Sequence, residues 1–323
     1  MTVSVIIPVF NVEQYILECL RSVANQTFRG CLECIIVDDC GTDASMDIAE
    51  SFVHTYEGPI SFRIIHHECN KGLSAARNTG MDATSCDYVY FLDSDDWIEP
   101  NCIDLLVKYA TKYAGVDLVQ GGVYNPTHYL LIRPYVREYY DDRKEISQLL
   151  LSDGLLIPST SWNKLISNEF LRRNTIARFK EGFFYEDSLF SYILAQCVTS
   201  IVVVNYGMYH YRELRLGSIT SRGEQDYWNA RLLMEYLANV PSINRELFLN
   251  YIFSKVLYFM SFPVDNVNVR NVEDAYRVLL EEGNFEDKII LWSLRVIPKR
   301  IRRIKAVYHF YLKMAFRCPM IQQ

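Results

Sequence analysis

Short apolar runs alternate with amphipathic segments over residues 1–120, and this alternation leaves few folds open. Five runs have the length of β-strands, at residues 3–9, 33–37, 62–65, 87–92 and 117–120. The first is apolar at almost every position, as expected when both faces of a parallel sheet are covered. Strands that alternate with helices form a largely parallel sheet with right-handed crossovers. We therefore predict an α/β fold with a Rossmann-like, mostly parallel sheet and flanking helices.

Acidic side chains follow the fourth run at once, at Asp93, Asp95 and Asp96. The carboxyl ends of parallel strands meet at one edge of the sheet, where open α/β sheets bind nucleotides. Three acids so close together repel one another, so a positive group is expected among them. Mg²⁺ is often held by one or two carboxylates plus substrate phosphates. This stretch therefore predicts a divalent-cation site, and a solvated acidic turn is the alternative.

Polar residues after the neighbouring runs should reach the same edge. Asp39 ends the second run, and Lys71 and Arg77 lie in the segment after the third. Arg77 could contribute a bidentate contact to a phosphate. A plain ion pair on the surface of a helix is the alternative for this residue.

Composition and cysteine usage exclude other classes of protein. Half of the residues are hydrophobic and 14% are aromatic, which excludes general disorder. Nine cysteines without regular spacing favour a reducing cytoplasm over a disulfide framework, and the pair Cys31 and Cys34 has no second pair for a zinc site. No apolar run reaches the roughly 18 residues of a spanning helix, and the chain starts without a basic signal region. We expect a cytoplasmic protein.

The pattern becomes less regular after Gly121. Residues 124–145 are polar and rich in tyrosine, which favours a loop or arm over the site. Further elements are expected as helices at 146–151, 168–173 and 187–195, a strand at 200–205, and helices from 225 onward. The predicted domains are 1–222, with a nucleotide-binding half (1–121) and a second half (122–222), and a helical C-terminal region, 223–323.

An ordered set of motifs resembles the family 2 glycosyltransferases. The motifs are Val3–Asn11, Val37–Asp39, Gly72–Asn78, Asp93–Asp96, Trp162–Leu165, Glu186–Asp187, Tyr209–Arg212 and Ser218–Thr220. The resemblance implies the GT-A fold and an inverting transfer from a nucleotide-activated sugar. One departure is Cys40, because the family usually has glycine after the paired aspartates. This change puts the details of base recognition in question.

The resemblance also implies which residues bind the nucleotide sugar. Asp39 accepts hydrogen bonds from the uracil or ribose of a uridine diphosphate sugar, and the base pocket is lined by Pro8, Val9 and Phe10. As strand-end core residues, those three would look the same in the sequence. Further predicted contacts with the nucleotide sugar are Lys71, Arg77, Ser94 and Arg212. Arg212 and Ser218–Thr220 would belong to a loop that closes over the diphosphate.

A metal ion is the cofactor that the resemblance implies. Asp95, with Asp93, would hold Mn²⁺ or Mg²⁺ and so neutralise the departing diphosphate. His210 could complete the metal site, although a histidine between two tyrosines is often a packing residue.

Inversion requires a base on the acceptor side. By the resemblance, Asp187 takes the proton of the acceptor hydroxyl and Glu186 supports it or touches the acceptor. The apolar residues 183–185 could raise the pKa of a carboxyl group there. Both acids also suit the first turn of a helix, where the helix dipole favours negative charge.

These patterns predict a metal-dependent inverting glycosyltransferase of the hexosyltransferase type. It would move a sugar, from UDP by preference, to a hydroxyl of a glycan or lipid-linked acceptor in cell-surface polysaccharide synthesis. One alternative is a nucleotidyltransferase, although the segment after the first strand lacks the Gly-rich phosphate loop such enzymes use. The other is a non-catalytic, membrane-associated protein that binds sugar nucleotides.

The last part of the chain differs in charge from the rest. Residues 288–323 contain nine Lys/Arg and no Asp/Glu, although the whole chain has a net charge of −6. Large apolar side chains lie between the cations, which is typical of an interfacial helix on an anionic membrane. We do not expect nucleic-acid binding, because no recognition module accompanies the charge. Peripheral attachment to the inner face of the cell membrane is predicted, with an ordinary packed terminal helix as the alternative.

We predict that truncation after Asp287 abolishes sedimentation with anionic vesicles. Each Lys/Arg near an anionic surface contributes about 1 kcal/mol, so the segment supports reversible attachment. The full-length protein should be released as salt rises, because salt screens the charges. Equal binding of vesicles by both proteins would show that the segment is a packed helix.

Overall fold

The computed structural model describes residues 1–124, 137–151, 157, 160–182 and 186–212. Its strands are β1 (Thr2–Val9), β2 (Cys31–Asp38), β3 (Ser61–His66), β4 (Tyr88–Phe91), β5 (Trp97–Ile98), β6 (Leu118–Tyr124), β7 (Tyr139–Tyr140), β8 (Lys164–Ser167) and β9 (Ile201–His210). Its helices are α1 (Ile16–Ala24), α2 (Ser45–Thr55), α3 (Leu73–Ala83), α4 (Cys102–Lys112), α5 (Arg143–Leu150), α6 (Asn168–Arg173) and α7 (Glu186–Cys197). The strands and helices predicted within these ranges are all present, with ends that differ by a few residues.

The strands form one sheet in the order β3-β2-β1-β4-β8-β6-β9-β5, and β7 pairs with β9. β1, β2, β3 and β4 are mutually parallel, and β6 is parallel to β9. β8 runs antiparallel to both of its neighbours, β4 and β6, so β4 and β6 point the same way. The prediction of a mostly parallel α/β sheet is confirmed. β8 was not predicted from the sequence. β5 and β7, which have only two residues each, were not predicted either.

β1 lies at the centre of the core because both of its faces are covered. Alternate residues of a strand point to opposite faces of the sheet. Val5 and Ile7 belong to one buried cluster with Ile16 and Leu20 of α1. On the other face, Ile6 lies against Gly80 of α3. This two-sided burial is the physical reason for the nearly unbroken apolar run.

The strand register brings the polar strand ends together. Val9 of β1 is opposite Asp38 of β2, and the next residue, Asp39, donates its N–H to the carbonyl of Val9 at 3.0 Å. On the other side, Leu92 donates its N–H to the carbonyl of Ile6 at 3.1 Å. The chain therefore leaves β2 and β4 at the same edge of the sheet, as predicted.

Residues 124–145 are only partly a loop. β7 pairs with β9, and α5 already begins at Arg143, so the prediction of one continuous arm was wrong for this part. Residues 125–136 lie outside the described ranges. The same holds for the predicted boundary at residue 222, the C-terminal helices and the basic segment 288–323. Among the described residues, the helices are all too short or too polar to span a bilayer.

We predict that Gly80→Ala destabilises the fold although alanine is the better helix former. A Cβ at this position would lie 2.3 Å from Cγ2 of Ile6. Overpacking costs about 1–3 kcal/mol, whereas the gain in helix propensity is about 0.5–1 kcal/mol. Urea unfolding should show the loss. Ile6→Ala removes the clashing group, so it should lower the free energy of unfolding by less in the Gly80→Ala background than in the wild type. Strictly additive losses of this free energy would contradict the proposed clash.

Candidate active site

One buried arginine joins the acidic residues of this edge. Nη2 of Arg77 donates to Oδ1 of Asp93 at 2.8 Å. Nη1 donates to Oε1 of Glu186 at 2.9 Å and to Oδ1 of Asp187 at 3.1 Å. The end of β4 and the start of α7 therefore meet at one guanidinium group. Arg77 is the positive group that the acidic stretch led us to expect.

Arg77 is buried among carboxylates, which neither of the two roles suggested by the sequence assumed. Its side chain is 1% exposed, and the guanidinium lies 5.2 Å from the ring centre of Phe179. Four of its five N–H donors belong to the two nitrogens that bind carboxylates, and Nε has no hydrogen-bond partner. The predicted bidentate contact with a phosphate stays a prediction, because both terminal nitrogens bond to carboxylates in this structure. The surface ion pair was wrong, because the residue is buried.

Burial changes the acidity of this cluster. It raises the pKa of Asp93 to about 6, and the positive charge of Arg77 opposes the shift. Burial and the nearby charge of Asp187 raise the pKa of Glu186 to about 7, again against Arg77. Desolvation therefore outweighs the attraction of the guanidinium for both acids. Near neutral pH, Glu186 retains a proton for part of the time.

Asp96 connects the acidic stretch to the end of β9. Its Oδ2 accepts a hydrogen bond from the hydroxyl of Tyr209 at 2.7 Å, and its Oδ1 accepts one from the N–H of Arg212 at 2.8 Å. The hydroxyl of Tyr209 also accepts from the N–H of Asp93 at 3.3 Å. Burial, reinforced by the charges of Asp95 and Asp93, raises the pKa of Asp96 to about 9. Asp96 thus holds the chain in place, whereas Asp95 is half-buried.

Arg212 reaches the acidic stretch, and its predicted contact with the diphosphate stays a prediction. Its Nε donates to the carbonyl oxygen of Asp95 at 2.9 Å. The guanidinium carbon lies 4.9 Å from the ring centre of Tyr15 and 4.7 Å from that of Trp97. These contacts fix the side chain beside Asp95. Residues 218–220 of the predicted closing loop lie outside the described ranges.

Asp93 and Asp95 could supply two carboxylates to a cation whose other ligands come from a substrate, and His210 has other contacts. Nε2 of His210 is 2.6 Å from Oε1 of Glu99, and the ring stacks on Trp97 with the ring centres 4.8 Å apart. Among the described residues there is no group of three acids, histidines or cysteines that could hold a metal by itself. Mg²⁺ needs only one or two carboxylates when phosphates supply the other ligands. His210 makes packing contacts in this structure, and its assignment to the metal stays a prediction.

The carboxylate of Asp39 organises the turn that opens α3. Its two oxygens accept hydrogen bonds from the N–H groups of Lys71 at 2.8 Å and Gly72 at 2.9 Å. Nδ1 of His67 lies 2.8 Å from Oδ1 of Asp39, and its Nε2 lies 2.9 Å from the hydroxyl of Thr79. Gly72 adopts a positive φ of 88°, which favours glycine. Binding of a base by Asp39 stays a prediction, because internal donors already bond both oxygens.

The other residues of the predicted base pocket differ in exposure. Pro8 and Val9 are buried, whereas Phe10 is 42% exposed. The side chain of Lys71 is exposed beside the turn, and Ser94 is buried. Cys40 has a positive φ of 58°, and its Sγ lies 3.0 Å from the carbonyl oxygen of His67. The only predicted pocket residue that offers a large exposed apolar face is thus Phe10.

Two buried polar residues near these sites were not predicted as functional residues from the sequence. His67 orients Asp39. Its position directly after the third strand is the feature of the sequence that could have identified it. Lys164 on β8 is completely buried, donates from Nζ to the carbonyl oxygen of Thr160, and feels the charge of Asp187. Burial lowers the pKa of Lys164 to about 7. The position of Lys164 in the motif at residues 162–165 is the feature of the sequence that could have identified it.

Comparison with known proteins agrees with this geometry. The sequence pattern described as Glycosyl transferase family 2 matches residues 4–167, about half of the chain. The chain belongs to this family. EpsH of Bacillus subtilis is 32% identical over 235 residues, which cover 72% of this chain and 66% of that protein. GlyA of Streptococcus pneumoniae is 32% identical over 228 residues, which cover 68% of this chain but only 31% of that glycosyltransferase.

Two solved structures share the fold. S. aureus TarS 1-349, in complex with UDP-GlcNAc, has a TM-score of 0.72 at 20% identity, with 98% of this chain and 92% of that one covered. The mannosyltransferase PcManGT of Pyrobaculum calidifontis, in complex with GDP-Man and Mn²⁺, has a TM-score of 0.58 at 16% identity, with 98% and 85% covered. The predicted GT-A fold and family 2 membership are confirmed.

We predict that Asp96 makes this family 2 protein less stable as the pH rises. The folded-state pKa, about 9, is above the unfolded value of about 3.9, so the folded state holds more protons between these values. The free energy of unfolding therefore falls with rising pH in this window. In Asp96→Asn the decrease of the melting temperature between pH 6 and 8, measured with chelator, should be smaller. An unchanged slope would contradict the assignment.

Proposed function

We propose that this chain is a metal-dependent inverting glycosyltransferase. It transfers a hexosyl group from a nucleotide sugar, a uridine diphosphate sugar by preference, to a hydroxyl of a glycan or lipid-linked acceptor in cell-surface polysaccharide synthesis. The observation that carries the proposal is that Asp93 and Asp187 bind the same buried guanidinium. The acid proposed to act on the donor and the acid proposed to act on the acceptor are therefore bonded to the same guanidinium group.

The donor binds at the carboxyl ends of β1, β2 and β4 in this proposal. The exposed ring of Phe10 supplies an apolar face for the base. Asp39 keeps the turn at Lys71 in place through the backbone hydrogen bond of that residue. The exposed ammonium of Lys71 is then available to a phosphate. The UDP-GlcNAc complex of TarS, which has the same fold, supports this choice of donor class.

Asp95 and Asp93 hold the divalent cation in this proposal, and the diphosphate completes its coordination. When bound, the cation neutralises the charge that develops on the departing diphosphate. Arg212 orients this part of the chain by its hydrogen bond to the carbonyl of Asp95. The Mn²⁺ in the PcManGT structure supports the choice of metal, with Mg²⁺ as the other candidate.

Asp187 is the general base. Its side chain is 22% exposed, so it can reach a bound hydroxyl, and Arg77 holds one of its oxygens. The carboxylate takes the proton as the acceptor oxygen bonds to the anomeric carbon and the bond from that carbon to the diphosphate oxygen breaks. Glu186 is less suited to this role because its side chain is only 12% exposed. Its protonated form can donate a hydrogen bond to the acceptor.

A screen of nucleotide sugars tests the proposal against its alternatives. Titration calorimetry with and without Mn²⁺ identifies the donor, and slow hydrolysis or transfer is then measured with the donor that binds. A nucleotidyltransferase would instead form a nucleotide sugar from a sugar phosphate and a nucleoside triphosphate. A non-catalytic binding protein would bind the donor without turnover. The proposed attachment to a membrane by residues 288–323 is tested separately with vesicles.

We predict that Asp187→Asn lowers transfer by at least about 10²-fold, because general base catalysis is typically worth 10²–10⁴-fold. Calorimetry should show that the variant still binds the donor and Mn²⁺. Asp104→Asn, which changes an exposed aspartate in the first turn of α4, is the matched control and should keep full activity. If the variant loses donor affinity and keeps its turnover, Asp187 has a structural role.

A further inference from the structure

We propose that Arg77 is a positioning residue that couples the donor side of the site to the acceptor side. It sets the relative placement of Asp93, Glu186 and Asp187 and does not bind the diphosphate itself. This inference rests on the proposed function, because that function gives Asp93 and Asp187 their separate roles.

The first argument is geometric. Asp93 follows β4, whereas Glu186 and Asp187 begin α7, and these elements are far apart in the sequence. All three bond to one planar guanidinium at 2.8–3.1 Å. The donors of this group have fixed directions, so a carboxylate that binds one nitrogen is held in orientation as well as in distance. The position of Asp93 is therefore linked to the position of Asp187.

The second argument is that Arg77 itself is held in place. Asn78, its neighbour on α3, donates from Nδ2 to the carbonyl of Phe179 at 2.9 Å, and its Oδ1 accepts from the N–H of Phe179 at 3.0 Å. This pair of bonds fixes the segment whose ring lies beside the guanidinium. The Phe179 ring also stacks on Phe190 of α7 at 4.1 Å. Arg77 is thus supported by a ring that is itself held in place, which a residue that moves to meet a ligand would not require.

The third argument concerns charge. One buried guanidinium, 1% exposed, faces three carboxyl groups that are themselves only 12–22% exposed. Without the positive group, the three acids would repel one another and separate. A misplacement of about 1 Å can lower turnover by about 10²-fold. The placement of the acids therefore depends on Arg77 even though it contacts no substrate.

The test is Arg77→Lys, which keeps the charge but cannot present a planar fork to three carboxylates. We expect kcat to fall by about 10²-fold, with the donor KM and the affinity for UDP in chelator within about twofold of wild type. The matched control is Arg178→Lys, because Arg178 makes a bidentate pair with the exposed Asp82 at the surface. The control should keep the wild-type kcat and KM. A loss of affinity for UDP with kcat preserved would make Arg77 a phosphate ligand and overturn the proposal.

A second variant separates positioning from a general loss of folding. Phe179→Leu removes the ring beside the guanidinium and leaves every charge of the site in place. This variant should have a lower kcat, as Arg77→Lys does, and an unchanged donor KM. It should also unfold in a cooperative transition. If Phe179→Leu unfolds cooperatively and keeps the wild-type kcat, the support of Arg77 is irrelevant and the proposal fails.

A thermal double-mutant cycle tests the coupling without any substrate. The melting-temperature shift caused by Asp187→Asn should differ between the wild-type and Arg77→Lys backgrounds, because the two residues share a hydrogen bond. Additive shifts overturn the coupling. If wild type transfers no sugar from any donor, the proposed function fails, while this cycle still decides whether Arg77 links the carboxyl groups.

Discussion

The buried guanidinium of Arg77 is the interaction on which the candidate site depends. Moving charges out of water costs several kcal/mol per ion, and this cost is offset only when the geometry and the hydrogen bonds are good. Here two terminal nitrogens bind three carboxyl groups, and an aromatic ring covers another side of the cation. The acids can lie together in a buried corner only because this group is among them. The guanidinium of Arg77 thus supplies positive charge next to the acidic stretch, in addition to any metal ion.

The antiparallel strand β8 explains how distant parts of the chain reach this corner. It lies between β4 and β6, so it separates the first four parallel strands from β6 and β9. The end of β9 then returns to the acidic stretch, where Tyr209 and Arg212 bond to Asp96. A side chain with a strongly raised pKa therefore serves here to hold the chain in place. A perturbed acid near a site is not automatically a catalytic one.

Asp39 illustrates how a motif can be recognised without the geometry of its side chain. The sequence placed it at the end of β2, and the structure agrees. The carboxylate, however, accepts two backbone N–H groups and contacts His67. Its position at a strand end followed from the apolar run before it, but its partners lie 28 to 33 residues later in the chain. Local pattern does not contain that information.

The sequence by itself determined the parallel strands, the helices between them and the edge at which the polar residues gather, because burial on both faces of β1 and β4 requires apolar runs of strand length. The family followed from the order of the motifs. Only the tertiary structure decided that Arg77 faces three carboxylates, that His210 packs between Trp97 and Tyr124, and that β8 enters the sheet. These outcomes depend on contacts between residues remote in the chain, and the direction of a long side chain is set by which partner neutralises its charge.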